Sequence, residues 1–520
     1  MNTIGDYVRV AAANCPTREA LIDANDGRKV TYAELDCATD RLGAGLHALG
    51  LRKGDRLACW LQTSIEYVQL YLAAAKLGLV LVPVNAMLAP DEVRFILNDS
   101  GAAALAYAHS FADAVSRSGA LGHLRTICVG GSNASAEITF EQLLECTSPA
   151  PPWAASSNDL LVLGYTSGTT GFPKAAALTH ASVSSVNKTN ALGYRLPMAS
   201  RGVYAGNMSF TASIPAFILT HFYVAGTLIL AMSNEPGRVL RALDEFAGNY
   251  TSVAPPLVGE YADACAREPE RLWALRSMLQ GAGPARLEDV VRLNEALGGR
   301  LLTGWGMTEN SGGLVTALTA QDSMRALHGE PELLGSVGSP LPGFRVSVLD
   351  ERDEGSSEES VAGELCFQSA SLMQGYWNRP EQTAGCLVDG WYHSGDLGRR
   401  DGEGRLYIED RRSDLIVSGG LNVYPSEVER VLSQMPGIRD CAVIGVPHER
   451  WGRAVTAAVV SDHALLEDDV IAFCRERLAS YKKPVTVKFL AELPRTVSGK
   501  VQRGRIEAAL KWNDSIGNES

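Results

Sequence analysis

Between residues 30 and 130 the chain alternates two apolar patterns, and this alternation restricts its fold more than any other feature. "AELDCATDRLGAGLHALG" repeats its apolar residues at helical spacing and "DRLACWL" is strand-like. "SIEYVQLYLAAAKLG" is helical again, and "LVLVPVN" is a short continuous apolar run. A strand that is apolar on both faces needs cover on both faces, and helices threaded between successive strands supply it. The pattern predicts parallel α/β units. It resumes after the Pro/Ala/Ser connector "TSPAPPWAASSNDL", with "GTLILAM", a helix near "GRVLRALDEF", and "YTSVAPPLVGEY".

From about Gly335 the texture changes to short alternating strands with Gly and charged turns: "FRVSVLD", "AGELCFQ" and "RLYIED". The stretch "DRRSDLIVSGGLNVYPSEVERVL" reads as a boundary, because a strand ends in a charged turn before a small strand, a Gly pair and an amphipathic helix. A chain of 520 residues exceeds one ordinary core. The expected architecture is α/β: a large N-terminal domain of parallel α/β units plus a β-rich subdomain over 1–410, a hinge at 411–414, and a small mobile α+β C-terminal domain over 415–520.

Charge narrows the ligands. The formal net charge of −12 argues against nucleic acid as the main partner. It is unevenly spread: residues 411–520 carry 16 Lys and Arg against 14 Asp and Glu, and the preceding 410 carry 31 against 45. That leaves either chance composition or a C-terminal part that helps neutralise an anionic ligand. The greasiest stretch, "LYLAAAKLGLVLVPVNAML", is broken by Lys76, Gly78 and Pro83 and reads as a buried helix entering a buried strand, not a membrane span. No signal peptide is visible at the start. The ten Cys show no CxxC pair and the nine His no ligand spacing, so reduced thiols in a cytoplasmic protein are expected, without structural zinc.

Four segments carry chemistry. "YTSGTTGFPKAAALTH", Tyr165 to His180, packs Gly, Ser and Thr ahead of Lys174. It is either a slack surface loop or a cradle in which backbone N–H groups and hydroxyls converge on a polyphosphate. A Walker A loop requires Gly-Lys-Ser/Thr; here Pro173 precedes Lys174 and Ala175 follows it. In "LTGWGMTENSGG", Gly304 and Gly306 free the backbone around Trp305, whose flat face suits a base. There Thr308 offers a hydroxyl and Glu309 a hard oxygen suited to Mg²⁺. In "YHSGDLG", Asp396 is a lone acid in a tight turn, able to accept from vicinal hydroxyls, with Arg411 following the next strand. In "LPRTVSGKVQR", Lys500 follows Ser498-Gly499.

With these residues in view the sequence resembles the adenylate-forming superfamily, which includes acyl-CoA synthetases, non-ribosomal peptide synthetase adenylation domains and firefly luciferases. "YTSGTTGFPK", "GWGMTE", "YHSGDLG", "GGLNVYPSEVE" and "SGK" occur in the family's order, and the resemblance spans essentially the whole chain. It implies two half-reactions, adenylation of a carboxylic acid by ATP with Mg²⁺ and then transfer of the acyl group to a thiol, usually coenzyme A. By that resemblance Thr166, Ser167, Gly168, Thr169, Thr170, Gly171 and Lys174 handle the β- and γ-phosphates. Thr308 meets the α-phosphate and Glu309 holds Mg²⁺. Trp305, with Gly306 beside it, takes the adenine-stacking position, and Gly281, Ala282 and Gly283 flank adenine and the acyl pocket. Asp396 and Arg411 bind ribose. Lys500 bridges carboxylate, α-phosphate and ribose, Asp414 is the hinge, and Gly419 and Gly420 line the path of coenzyme A.

This chain departs from the family at several positions. Ala175 stands where Gly is frequent, and Ser413 where Lys precedes the hinge acid. In "GNMSFTAS" the gate usually held by His is Phe210, and Ser213 replaces a Gly. Neutral drift is one reading. The other is an acyl pocket, shared with Gly281 and Gly304, whose apolar gate admits an uncharged hydrophobic acid. The leading expectation is a carboxylic acid–CoA ligase acting on a fatty or aryl acid. A free-standing enzyme that loads a carrier protein is the alternative, and a luciferase-like oxygenase or a non-enzymatic nucleotide-binding module stand behind it. The partners expected are small molecules (the acid, ATP and coenzyme A), and a homodimer is left open.

Overall fold

The computed structural model describes the chain except residues 1–2, 119–121, 123, 133–135, 149–152, 154, 167–172, 282, 284, 350–362, 412–413, 415, 419–420, 449–450, 479–480, 497–499 and 509–520. The chain forms two compact units. One comprises Met1–Arg345 with Gln368–Tyr392, the other Val346–Phe367 with His393–Ser520.

The first unit is built on two large sheets. One has eight strands in the order Gly375–Tyr376, Lys174–Thr179, Leu160–Thr166, Val80–Pro83, Arg56–Trp60, Ala104–Ala108, Arg125–Val129, Ile138–Thr139. From Leu160–Thr166 onward its neighbours pair in parallel, as the alternating pattern predicts, and the two strands at the other edge are antiparallel. The second sheet has nine strands, with a parallel centre running from Leu301–Gly306 through Ser277–Gln280, Tyr250–Val253, Arg201–Tyr204 and Thr227–Leu230 to Glu19–Asp23.

Local signals explain the helices between the strands. Tyr32–Ala48 starts on a capping box in which the Glu34 amide donates to Thr31 Oγ1 and the Thr31 amide donates to Glu34 Oε2. Ile65–Leu77 is capped by Ser64 and stopped by Gly78, whose φ of 77° is left-handed. Every residue of that helix except Glu66 is buried, so it is a core helix with no solvent face. Lys76 is tolerated there because its ammonium donates to Asp36 Oδ1 and Asp40 Oδ1, each at 2.6 Å, from the neighbouring helix. No helix among the described residues is long and apolar enough to cross a membrane. All ten cysteines are free thiols.

The second unit contains a β-rich part, with the strand Leu406–Arg411 and all but the ends of the strands Gly363–Gln368 and Trp391–Arg400, and a C-terminal α+β part. The long hairpin Ile438–His448 and Gly452–Ser461 centres the latter. Val443, Val455, Ala457 and Val459 pack into a core on one of its faces, and Ala442, Ile444, Ala458 and Val460 into a core on the other. Alternate residues of a strand point to opposite faces, so a continuous apolar run here is a strand covered on both sides.

Candidate active site

The Gly/Ser/Thr-rich segment is flanked by two antiparallel strands. Thr166 ends the strand Leu160–Thr166, Lys174 begins the strand Lys174–Thr179, and the two are register partners. The anchors on either side of residues 167–172 are therefore brought together. Ser167, Gly168, Thr169, Thr170 and Gly171 lie outside the described residues.

The edge strand Gly375–Tyr376 pairs with the second of those strands, Tyr376 against Ala176. This pairing sets the Tyr376 ring beneath Lys174, with the ammonium 3.7 Å from the ring centroid. The Tyr376 hydroxyl donates to Glu309 Oε1 at 2.7 Å and lies 3.5 Å from the Tyr392 hydroxyl. Burial first, and then the Glu309 carboxylate, hold the phenol far above its ordinary pKa, so it stays a proton donor. Glu309 is 9% exposed, and among the described residues its Oε2 accepts no hydrogen bond. A buried carboxylate with one oxygen fixed and the other on offer fits a hard cation such as Mg²⁺.

Thr308 and Glu309 begin a single turn after the strand Leu301–Gly306. Thr308 is half-buried, and its methyl lies close to Gly164. A Cβ at Gly164 would stand 2.6 Å from Thr211 Oγ1 and 3.1 Å from Thr308 Cγ2, so only Gly lets the strand Leu160–Thr166 approach Thr308 this closely. Trp305 is buried and pairs in register with Thr316, and Gly304 pairs with Ala317. Gly306 is exposed. Gly281 and Gly283 follow the strand Ser277–Gln280, where Gln280 Nε2 donates to the Gly283 carbonyl; Ala282 lies outside the described residues.

Phe210 is half-buried, at the start of a distorted helical segment that continues through Ala212–Ile218. Ser213 is not an inert replacement for Gly. It is buried, its hydroxyl donates to the Asn207 carbonyl at 2.7 Å, and it also pairs with the Tyr204 hydroxyl.

In the second unit, Asp396 is 6% exposed and its amide donates to Ser394 Oγ at 3.0 Å. Arg411 ends the next strand and is the register partner of Asp396, so the two residues face each other across the ladder. Asp414 Oδ2 accepts from Arg503 Nη1 at 3.1 Å, and Arg503 Nη2 also donates to Glu429 Oε1 at 2.6 Å. Lys500 is exposed; its amide donates to Thr496 Oγ1 at 3.1 Å, its carbonyl accepts the Thr496 amide at 2.7 Å, and Arg495 and Val501 beside them form a bridge. Gly419 and Gly420 lie outside the described residues.

Sequence reasoning missed Tyr376, Arg503 and the Tyr204 and Asn207 partners of Ser213. Tyr376 in "MQGYWNRP" has no local spacing that marks it, since its role comes from a strand pairing across about two hundred positions. The buried hydroxyl of Ser213 in "GNMSFTAS" was the one local hint, because a polar atom in an apolar run needs a partner.

The chain matches the family model of AMP-binding enzymes over residues 8–377 and that of the AMP-binding enzyme C-terminal domain over residues 427–500. It is 33% identical over 512 residues to the long-chain-fatty-acid–CoA ligase FadD13 of Mycobacterium tuberculosis, covering 96% of this chain and 97% of that one. It is 35% identical over 488 residues to a feruloyl-CoA synthase of an Amycolatopsis species, covering 92% and 94%. Among solved structures, the o-succinylbenzoate-CoA synthetase of Bacillus subtilis in complex with its acyl-adenylate intermediate matches with a TM-score of 0.85 at 30% identity, over 96% of this chain and 97% of that chain.

Proposed function

The chain belongs to the family of AMP-binding enzymes and is an AMP-forming acid–thiol ligase, and on that premise we propose that it joins an uncharged hydrophobic carboxylic acid, fatty or aryl, to coenzyme A. A carboxylate oxygen attacks the α-phosphorus of ATP, the bond to the bridging oxygen of the β-phosphate breaks, and pyrophosphate leaves. The coenzyme A sulfur then attacks the acyl carbon, the thiol proton passes to solvent, and AMP departs.

The observation that carries this reading is the meeting of Lys174 and Glu309 on Tyr376, an ammonium for phosphate oxygens and a carboxylate for a metal on one ring. In the proposal the loop 166–174 takes the β- and γ-phosphates and Thr308 the α-phosphate. Trp305 and Gly281–Gly283 border adenine, and Asp396 and Arg411 take the ribose hydroxyls. Glu309 is the residue that would hold Mg²⁺, which supplies neutralisation of phosphoryl charge. Lys500 reaches the reacting carboxylate during adenylation. The chain pivots at Asp414, within 411–414, between 1–410 and 415–520, so that Gly419 and Gly420 line the thiol's path in the second step. Free thiols throughout suit work in the cytoplasm.

Phe210 and Ser213 support the choice of acid. The gate is apolar, and the Ser213 hydroxyl is engaged by Asn207 and Tyr204. The relatives named for long-chain fatty and feruloyl acids agree with that class. The test is a panel of carboxylic acids scored by AMP release, with coenzyme A and a phosphopantetheinyl carrier protein as rival acceptors. Turnover with monocarboxylic fatty or aryl acids and coenzyme A is expected. Preference for a dicarboxylate sinks the acid class, preference for the carrier sinks coenzyme A, and no AMP from any acid sinks the ligase reading.

A further inference from the structure

Glu364 and Cys366 lie two positions apart on the strand Gly363–Gln368, and His393 lies on the strand Trp391–Arg400, its neighbour in the sheet. His393 Nδ1 is 3.3 Å from Glu364 Oε2 and 3.3 Å from Cys366 Sγ, and the three donor atoms all fall within 4.8 Å of one another. We propose that this trio is a binding site for a soft divalent transition metal, with Zn²⁺ its fitting ligand, held by the Glu364 carboxylate, the Cys366 thiolate, the His393 Nδ1 nitrogen and a water.

Three features argue for it. The donor set is that of zinc: one sulfur, one imidazole nitrogen and one carboxylate oxygen, leaving one tetrahedral position for solvent. The two spacings to His393 Nδ1, 3.3 Å each, also fit, since metal bonds of about 2.0–2.3 Å at tetrahedral angles put neighbouring donors roughly 3.3–3.6 Å apart. The donors are preorganised too. Glu364 Oε1 accepts the Gly395 amide at 2.9 Å, which fixes the carboxylate and turns Oε2 toward His393, and Ser394 Oγ donates to the Leu365 carbonyl at 2.6 Å and ties the two strands together. Cys366 is fully buried while His393 keeps about a quarter of its side chain exposed, which gives the ion a solvent side from which to enter. This donor set differs in kind from a Mg²⁺ site, which takes oxygen alone. The proposal stands independently of which acid or thiol the enzyme uses.

Binding exchanges protons for metal: the Cys366 thiol proton leaves to solvent as the Sγ–metal bond forms, and His393 coordinates as the neutral imidazole. The experiment is titration of the metal-free full chain with Co²⁺ under anaerobic, thiol-free conditions. Expected are one equivalent bound, a near-ultraviolet thiolate-to-cobalt charge-transfer band with the visible bands of tetrahedral Co²⁺, displacement of both by Zn²⁺, and proton release recorded with an indicator dye. Cys366→Ser should erase the charge-transfer band, and His393→Asn should weaken binding by at least the roughly 10- to 100-fold cost of losing even an outer partner of a metal ligand. Cys474→Ser, at another buried cysteine of the same unit, should leave the spectrum intact and separates ligand loss from general damage. Absence of the band from the unsubstituted chain, or its persistence in Cys366→Ser, overturns the proposal.

Discussion

The Tyr376 hydroxyl donates a 2.7 Å hydrogen bond to Glu309 Oε1 across 67 positions of sequence, and the same ring carries the Lys174 ammonium 3.7 Å from its centroid. One side chain thereby sets the separation of a cation and an anion that the proposed reaction needs on the same triphosphate. In the proposed reaction Tyr376 is a positioning residue, acting through both.

Replacing Tyr376 by Phe keeps the ring under Lys174 and deletes only the donor to Glu309. A hydrogen bond to a charged group contributes about 1.5–3 kcal/mol, so the Mg²⁺ requirement of ATP–pyrophosphate exchange should rise about 10- to 100-fold. The apparent affinity for ATP at saturating Mg²⁺ should change little. An unaltered Mg²⁺ titration in Tyr376→Phe would refute the positioning role.

Lys500→Ala should cut adenylation by about 100-fold or more, the scale of losing a charge-stabilising group at a reacting centre. Thioester formation from preformed acyl-adenylate should largely survive, because the proposed role of Lys500 lies in the first step. The two half-reactions are measured separately, and equal losses in both would count against a lysine specific to adenylation.

Asp414 is tied to Arg503 at 3.1 Å, so a substitution there loses an ion pair as well as changing the backbone. Asp414→Ala removes the side-chain pairing without constraining the backbone, and Asp414→Pro also fixes φ. The Pro variant should slow the thioester step well beyond the Ala variant while pyrophosphate exchange stays nearly level between them. The opposite order, with exchange hit harder by Pro, removes Asp414 as the pivot.

Burial pushes the pKa values of His180 and His221 down from 6.5 to about 4. His180 Nδ1 accepts the Ile4 amide at 3.1 Å, which requires it to be unprotonated, and His221 Nδ1 lies 2.9 Å from the Phe217 carbonyl. Unfolded histidine titrates near 6.5, so below that pH the unfolded chain takes up protons that the native state refuses. Stability is therefore unaffected above pH 6.5, declines as pH falls from 6.5 to about 4, and loses nothing further from these groups below that. Between pH 7 and 5 each should cost about 2 kcal/mol. Urea unfolding at the two pH values checks this, and His221→Phe with His180→Asn should flatten the difference; an unchanged pH slope in the double variant would show that other groups set it.

Some of this was legible in the primary sequence and some was not, for identifiable reasons. The strands Arg56–Trp60 and Val80–Pro83 and the helices Tyr32–Ala48 and Ile65–Leu77 fall where the apolar periods place them, because burial demands that period whatever the neighbours are. The pairing of Asp396 with Arg411 was also within reach, since both lie on one antiparallel hairpin. The order of strands within the two sheets was not, nor was the clamp of Arg503 on Asp414 and Glu429, because those contacts join segments with no shared local pattern.

The sequence by itself determined the α/β class and the nucleotide chemistry. Backbone periodicity and the ordered run of Gly-, Thr-, Glu-, Asp- and Lys-bearing motifs are written locally, residue beside residue. Only the tertiary structure decided that Tyr376 joins Lys174 to Glu309, that Ser213 is engaged by Asn207 and Tyr204, and that Glu364, Cys366 and His393 converge. Each of these depends on which strands or turns become neighbours. That choice is made by the packing of the whole core, in which distant residues meet only once the sheets have formed.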